Sequence, residues 1–286
     1  MTATFTVGLI QVTATNEMAP NIRFIEEQTR RAREVGAQFI MTPENSTLIG
    51  ANRADTLAKA QPEESHESLQ AMQALARECG VWFLLGSIHV KVEAERNANR
   101  SYLIDPSGTI VASYDKIHMF DVQLASGETY RESSTFRPGD KTVIAQTPWG
   151  KLGMTICYDL RFPYLYRDLA HTGAEMLSIP SSFTVPTGRA HWHVLMRARA
   201  IETGCFVFAP AQVGTHAGNR KTYGHSLVVA PWGEVLADAG GETPGFITAE
   251  IDMAKVAEAR TAVPSLTHDR RYAAPVTVGA VQRAAE

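Results

Sequence analysis

Short apolar, β-rich runs alternate with amphipathic helical stripes along most of this chain, and that alternation leaves few ways to fold it. Phe5 to Val12 is the first such run; Ile22, Ile25, Ala32 and Val35 then recur at helical spacing within Asn21 to Val35, before Gly36. Gln38 to Met41 is a second short run, followed by a stripe of Leu69, Met72, Leu75 and Cys79 closed by Gly80, and then by the strand-like Val81 to Ile88. The order is β-α-β-α-β. It resumes with strand Leu152 to Cys157, a helix near Tyr164 to His171, strand Met176 to Pro180, a helix over Trp192 to Thr203 ended by Gly204, and strand Cys205 to Ala211. Asp105-Pro106-Ser107-Gly108, Thr147-Pro148-Trp149-Gly150 and Ala230-Pro231-Trp232-Gly233 share one turn grammar between β-rich runs, so each predicts a hairpin. Hairpins mixed with crossover helices imply an α/β protein with mixed sheets.

The chain has 286 residues, 44% hydrophobic and 20% charged, enough for one large core. Residues 1–270 read as one domain and residues 271–286, with Ala273, Ala274, Pro275 and Gly279, as a C-terminal arm or tail. A formal net charge of -3 offers no basic surplus for nucleic acid or an anionic bilayer. Neither a membrane-length apolar run nor a signal-peptide pattern is present, and three cysteines are too few and odd for a disulfide framework, so a cytoplasmic location is expected.

Three residues at the ends of expected strands carry the chemistry. Cys157 closes the apolar run Gly153-Met154-Thr155-Ile156 and meets Tyr158-Asp159-Leu160-Arg161-Phe162-Pro163, where a nucleophile would be rigidly held yet open to a cleft. A buried structural thiol fits the same pattern. Glu44 follows Met41-Thr42-Pro43, and because proline cannot pair within a central strand the glutamate is expected to leave the sheet at its edge. A partly desolvated carboxylate there would serve as base for a thiol; a solvated loop glutamate is the alternative. Lys116 lies in Tyr114-Asp115-Lys116-Ile117-His118-Met119-Phe120-Asp121, where a fixed ammonium would stabilise an oxyanion, although most single lysines are simply solvated.

These three residues, in this order and each at a strand end, resemble the Glu-Lys-Cys signature of the nitrilase superfamily of carbon-nitrogen hydrolases. The similarity runs from Gly8-Leu9-Ile10-Gln11 to Arg270-Arg271-Tyr272. It implies an α-β-β-α sandwich, with Glu44 as general base and acid, Lys116 and the Tyr158 backbone N–H as oxyanion donors, and Cys157 as a nucleophile that forms a thioester. Glu132, within Tyr130-Arg131-Glu132-Ser133-Ser134, matches a second family glutamate that orients the lysine and substrate. Homodimers are common in such enzymes.

The blocks Tyr114 to Asp121, Cys157 to Pro163, Ala190-His191-Trp192 and Tyr223-Gly224-His225-Ser226 are similar to amidases of deaminated glutathione, with ω-amidases close by. One motif departs: the eukaryotic enzymes carry Gly-Pro-Ala-His-Trp-Glu, whereas this chain has Gly188-Arg189-Ala190-His191-Trp192-His193. The expected substrate is a small amide bearing a carboxylate, gripped by Arg161, Arg189 or Arg199, with Phe120 and His191 also at the substrate. Arg199 on its helix, and Arg161 beside Asp159, have intramolecular pairing as an alternative. An N-carbamoyl amino acid amidohydrolase, a nitrilase, or a silent metabolite-binding member are the competing readings. No cofactor is implied. A catalytic metal is not expected either, because His191 and His193 do not share a helix face and no Cys-x-x-Cys or His-Glu-x-x-His occurs.

Overall fold

A computed structural model describes residues 4–124 and 127–277. The first half runs β1 (Thr4–Gln11), α1 (Met18–Glu34), β2 (Phe39–Met41), α2 (Arg53–Lys59), α3 (Glu67–Cys79), β3 (Trp82–Lys91), β4 (Asn97–Ile104) and β5 (Ile110–Asp115). A small hairpin of β6 (Asp121–Gln123) and β7 (Thr129–Arg131) leads into β8 (Val143–Thr147), β9 (Gly150–Met154), α4 (Pro163–His171), β10 (Met176–Ser178), α5 (Val185–Thr203) and β11 (Phe206–Ala209). The remainder comprises the β12 (Val213–Thr215) and β13 (Lys221–Tyr223) pair, β14 (Leu227–Val229), β15 (Val235–Asp238), β16 (Gly245–Asp252) and α6 (Ala254–Ala262).

Two six-stranded mixed sheets result, ordered β16-β1-β2-β3-β4-β5 and β15-β14-β11-β10-β9-β8. In each, three central strands are parallel, joined by crossover helices, and the flanking ones are antiparallel. All three turns expected from Pro and Gly join antiparallel neighbours. The pleat then assigns faces. Phe5, Val7, Leu9, Phe39, Met41, Leu84 and Leu103 pack inward against Leu152, Met154 and Phe208 of the other sheet, whereas Ile10, Ile40, Phe83, Leu85 and Tyr102 point outward onto α1 and α3. Helices α4 and α5 cover the outer face of the second sheet through Leu165, Leu169, Trp192 and Met196. The protein is an α-β-β-α sandwich.

Helices α3 and α5 stop where Gly80 and Gly204 enter the left-handed region at φ +62 and +59, as the sequence predicts. Three boundaries differ. Helix α5 begins at Val185, seven residues before the expected start, because Pro186 sits in its first turn, where no backbone N–H is needed. Strand β9 ends at Met154, so Cys157 stands past the sheet at the start of a 3-10 turn. Glu44 follows not an edge strand but β2, which lies between β1 and β3; Pro43 is tolerated because pairing has already ended at Met41. Residues 271–277 are exposed and without regular structure, and the rest of the expected arm, 278–286, lies outside the described residues.

Beside β2, a side chain at Gly86 of β3 would sit 1.9 Å from the Thr42 carbonyl oxygen and 2.5 Å from that of Pro43. The backbone that carries Glu44 therefore closes directly onto a glycine. Overpacking of this kind costs roughly 1–3 kcal/mol, and contact with rigid backbone on both sides puts Gly86→Ala at the upper end. Denaturant unfolding should show that loss together with reduced turnover; an unchanged midpoint would show that the contact is not tight.

Candidate active site

Three chain segments meet at the carboxyl ends of one central strand in each sheet and of the first sheet's edge strand. Glu44 follows β2, Lys116 follows β5, and Cys157 follows β9. Crevices at such strand ends are where open α/β sheets place ligands. Cys157 itself adopts φ +50, a left-handed conformation that non-glycine residues rarely hold without external support. That support is visible. Its N–H donates to the Pro180 carbonyl at 3.0 Å, and buried Asp159, two residues on, accepts from the Ile156 N–H at 2.9 Å. The same carboxylate accepts from the Tyr114 hydroxyl at 2.7 Å and the His118 N–H at 3.0 Å, and lies 2.7 Å from His118 Nδ1. One aspartate thus locks the cysteine turn to the segment that presents Lys116.

Lys116 is 1% exposed and Glu44 2%. The ammonium Nζ lies 2.8 Å from Glu44 Oε1 and 2.9 and 2.8 Å from the two oxygens of Glu132. Asn99 of β4 donates to both carboxylates, at 3.0 and 3.2 Å, and the Phe120 N–H donates to Glu132 Oε2 at 2.6 Å. Burial alone would drive the Glu44 carboxyl up, but the charge and hydrogen bond of Lys116 outweigh it and hold the group below the usual carboxylate value. Burial would likewise favour a neutral amine, yet the charges of Glu132 and Glu44 push Lys116 well above the ordinary lysine value. Cys157 is pushed far up, first by burial and then by the adjacent Glu44 charge, with Lys116 opposing. Glu44 is thus close enough for its charge to act on the thiol. The site therefore holds a neutral thiol against an ionised carboxylate.

These groups open onto a cavity of about 440 Å³ whose wall includes Phe120, Tyr130, Tyr158 and Arg220. Phe120 packs between Tyr130 and Tyr158, with ring centroids 5.2 and 5.1 Å away. The expected Arg161, Arg189 and His191 do not line it. Arg161 meets not Asp159 but His191, whose Nδ1 is 3.2 Å from Nη2, and its guanidinium lies over Tyr158 and Phe183. Arg189 sits on a separate groove near Thr222 and His225. Arg199 is buried and donates to the Leu160 carbonyl and to Glu202. The cations that face the cavity besides Lys116 are Arg53, Arg131 and Arg220, so four cationic side chains stand against Glu44 and Glu132. Arg220 lies over the Tyr130 ring and donates from Nη2 to the Ser182 carbonyl at 2.8 Å, while its buried Nε–H has no acceptor among the described residues.

A carbon-nitrogen hydrolase model matches residues 6–261. The chain belongs to the carbon-nitrogen hydrolase family. It is 40% identical over 270 residues to a deaminated glutathione amidase of Yersinia enterocolitica, covering 92% of each chain. In structure it is similar to the C. elegans NitFhit protein, with TM-score 0.87 and 36% identity over 94% of this chain and 66% of that one. Saccharomyces cerevisiae Nit3, a member of the nitrilase superfamily, aligns with TM-score 0.84 and 29% identity over 94% and 97%. As a carbon-nitrogen hydrolase with amidases among its relatives, the protein is an enzyme acting on amides.

Behind this hydrolase site, burial pushes the imidazoles of His89 and His216 down to about 4. His89 Nε2 is 2.8 Å from Asn45 Oδ1, next to Glu44. Unfolding returns each ring to about 6.5, so between the two values the unfolded chain binds more protons. Their contribution is complete above about pH 6.5 and is lost as pH falls through about 4, up to about 3 kcal/mol for each ring. Denaturant midpoints followed across that window should flatten in His89→Gln relative to the parent; equal slopes would contradict a buried neutral His89.

Proposed function

We propose that this enzyme hydrolyses the amide bond of a small, carboxylate-bearing substrate, of the deaminated glutathione or α-keto acid ω-amide kind, through a thioester on Cys157. The observation that carries the reading is the convergence of Cys157 and the buried, lysine-paired Glu44 on one cavity lined by cationic side chains. Glu44 takes the thiol proton as Cys157 Sγ forms its bond to the amide carbon. The oxyanion that develops is held by Lys116 Nζ and the Tyr158 N–H, which has no backbone acceptor among the described residues. Collapse of the tetrahedral intermediate breaks the carbon–nitrogen bond, and Glu44 returns its proton to the departing ammonia or amine. Water, deprotonated by the same carboxylate, then attacks the thioester, and the thiol is regenerated with the released acid. Glu132 touches no reacting atom in this scheme; it fixes Lys116 from the opposite side.

Recognition of the substrate carboxylate is assigned to Arg220, because its buried Nε–H lacks an acceptor and a guanidinium offers a paired fork to a carboxylate. Two features support a cytoplasmic homodimer: three free cysteines, and apolar side chains such as Val194, Ile201 and Trp232 left exposed on one chain. Among the described residues, no helix is long and apolar enough to cross a membrane. Residues 1–270 act as the catalytic unit in this reading, with the following segment as an arm.

Replacing Cys157 by alanine should abolish release of the peptide amine from deaminated glutathione and of ammonia from α-ketoglutaramate while circular dichroism stays unchanged; retained turnover would remove the nucleophile. A charge-assisted hydrogen bond is worth about 1.5–3 kcal/mol, so Arg220→Ala should lower kcat/KM for these anionic amides roughly ten- to a hundredfold. A neutral short-chain amide should be little affected. Equal losses on both substrates would take the carboxylate role from Arg220.

A further inference from the structure

Away from the catalytic cavity, three potential metal ligands converge from three separate segments. His193 comes from the middle of α5, His225 from the turn before β14, and Asp238 from the end of β15. One ligating atom from each lies within 4.8 Å of the other two. Asp238 Oδ2 is 3.1 Å from His193 Nε2, and its two carboxylate oxygens are 2.9 and 3.1 Å from His225 Nδ1. We propose that His193, His225 and Asp238 bind a late first-row divalent metal ion, zinc by preference, which ties α5 to the β14–β15 hairpin.

The donor set selects the ion. Two imidazole nitrogens and one carboxylate suit zinc and its neighbours, whereas magnesium and calcium favour all-oxygen shells. The three side chains are 35%, 24% and 33% exposed, so water can complete a tetrahedral shell. His225 and Asp238 are also held by their surroundings, as such sites need. The Tyr223 ring stacks on His225 at 4.5 Å and 27°, the Gly240 N–H donates to Asp238 Oδ1 at 2.8 Å, and the His225 N–H donates to the Gly240 carbonyl at 2.8 Å. His225 itself is fixed at φ +57. Gly241 leaves the ring room, since a side chain there would come within 2.9 Å of His225 Nε2. Arg189 and Glu242 line the adjoining groove with one charge of each sign, so their formal charges balance. The cluster lies outside the catalytic cavity and the residues assigned to hydrolysis, so its role is structural.

Cobalt(II) titration of the full-length Cys157→Ala protein tests this directly, because removing the active-site thiol leaves the cluster as the candidate site. Binding of one equivalent, with visible bands of a four-coordinate ion and without a thiolate charge-transfer band, is the expected result, displaced by zinc. His193→Ala alters one side chain on a helix surface and should weaken that binding by roughly tenfold or more, and should erase a zinc-dependent rise in Tm. Equal binding with and without His193, a thiolate band, or no cobalt uptake would overturn the proposal.

Discussion

The site depends on one buried ammonium. Lys116 carries its charge into an interior that would otherwise reject it, held there by buried Glu44 and half-buried Glu132. Removing one partner from such a group strands the others, at a cost on the order of 3–5 kcal/mol. Glu44, Lys116 and Glu132 come from three segments, and the charge balance helps to keep those segments together. Asn99, from within β4, donates to both acids. Gln212, just beyond β11, donates to the carbonyls of Glu44 and Asn45 at 3.1 Å and so anchors the Glu44 turn to the second sheet. Sheet architecture and active-site electrostatics are one construction.

This balance also sets the resting state of the nucleophile. A thiol next to an imidazolium would be drawn toward thiolate, but here the charge that acts on it most strongly is that of a carboxylate already committed to a lysine. A buried thiolate beside the Glu44 carboxylate would be both desolvated and repelled, so the proton stays on sulfur until attack begins. Proton transfer and carbon–sulfur bond formation are then coupled, and Lys116 has the oxyanion to stabilise as Glu44 becomes neutral. The left-handed turn at Cys157, braced by Asp159, keeps the sulfur in place for this exchange.

Much of this architecture is written in local patterns. Apolar, β-rich runs in Phe5 to Val12 and in Val81 to Ile88 mark strands, Pro-Gly turns mark three of the hairpins, and glycines mark the ends of α3 and α5. Glu44, Lys116 and Cys157 each stand where an apolar run gives way to polar residues. What local pattern does not carry is contact at long range. Asn99 reads as an ordinary strand residue, Asp159 as a partner for its neighbour Arg161, and Arg220 as one cation in an irregular segment without periodicity; only the packed sheets bring them to the site. Arg161 and Arg189, close in sequence to the matched motifs, turn away from the cavity for the same reason: proximity along the chain does not determine which side of a turn or helix a long side chain takes.

Thiolate absorbance of Cys157, taken as the ultraviolet difference between the parent enzyme and Cys157→Ala and followed from neutral to strongly alkaline pH, tests the central claim most directly. No thiolate signal at neutral pH, with ionisation delayed well beyond that of an ordinary cysteine, is the predicted result. A thiolate already present at pH 7 would contradict it, since the sulfur would then be held by a cation and not by the carboxylate of Glu44.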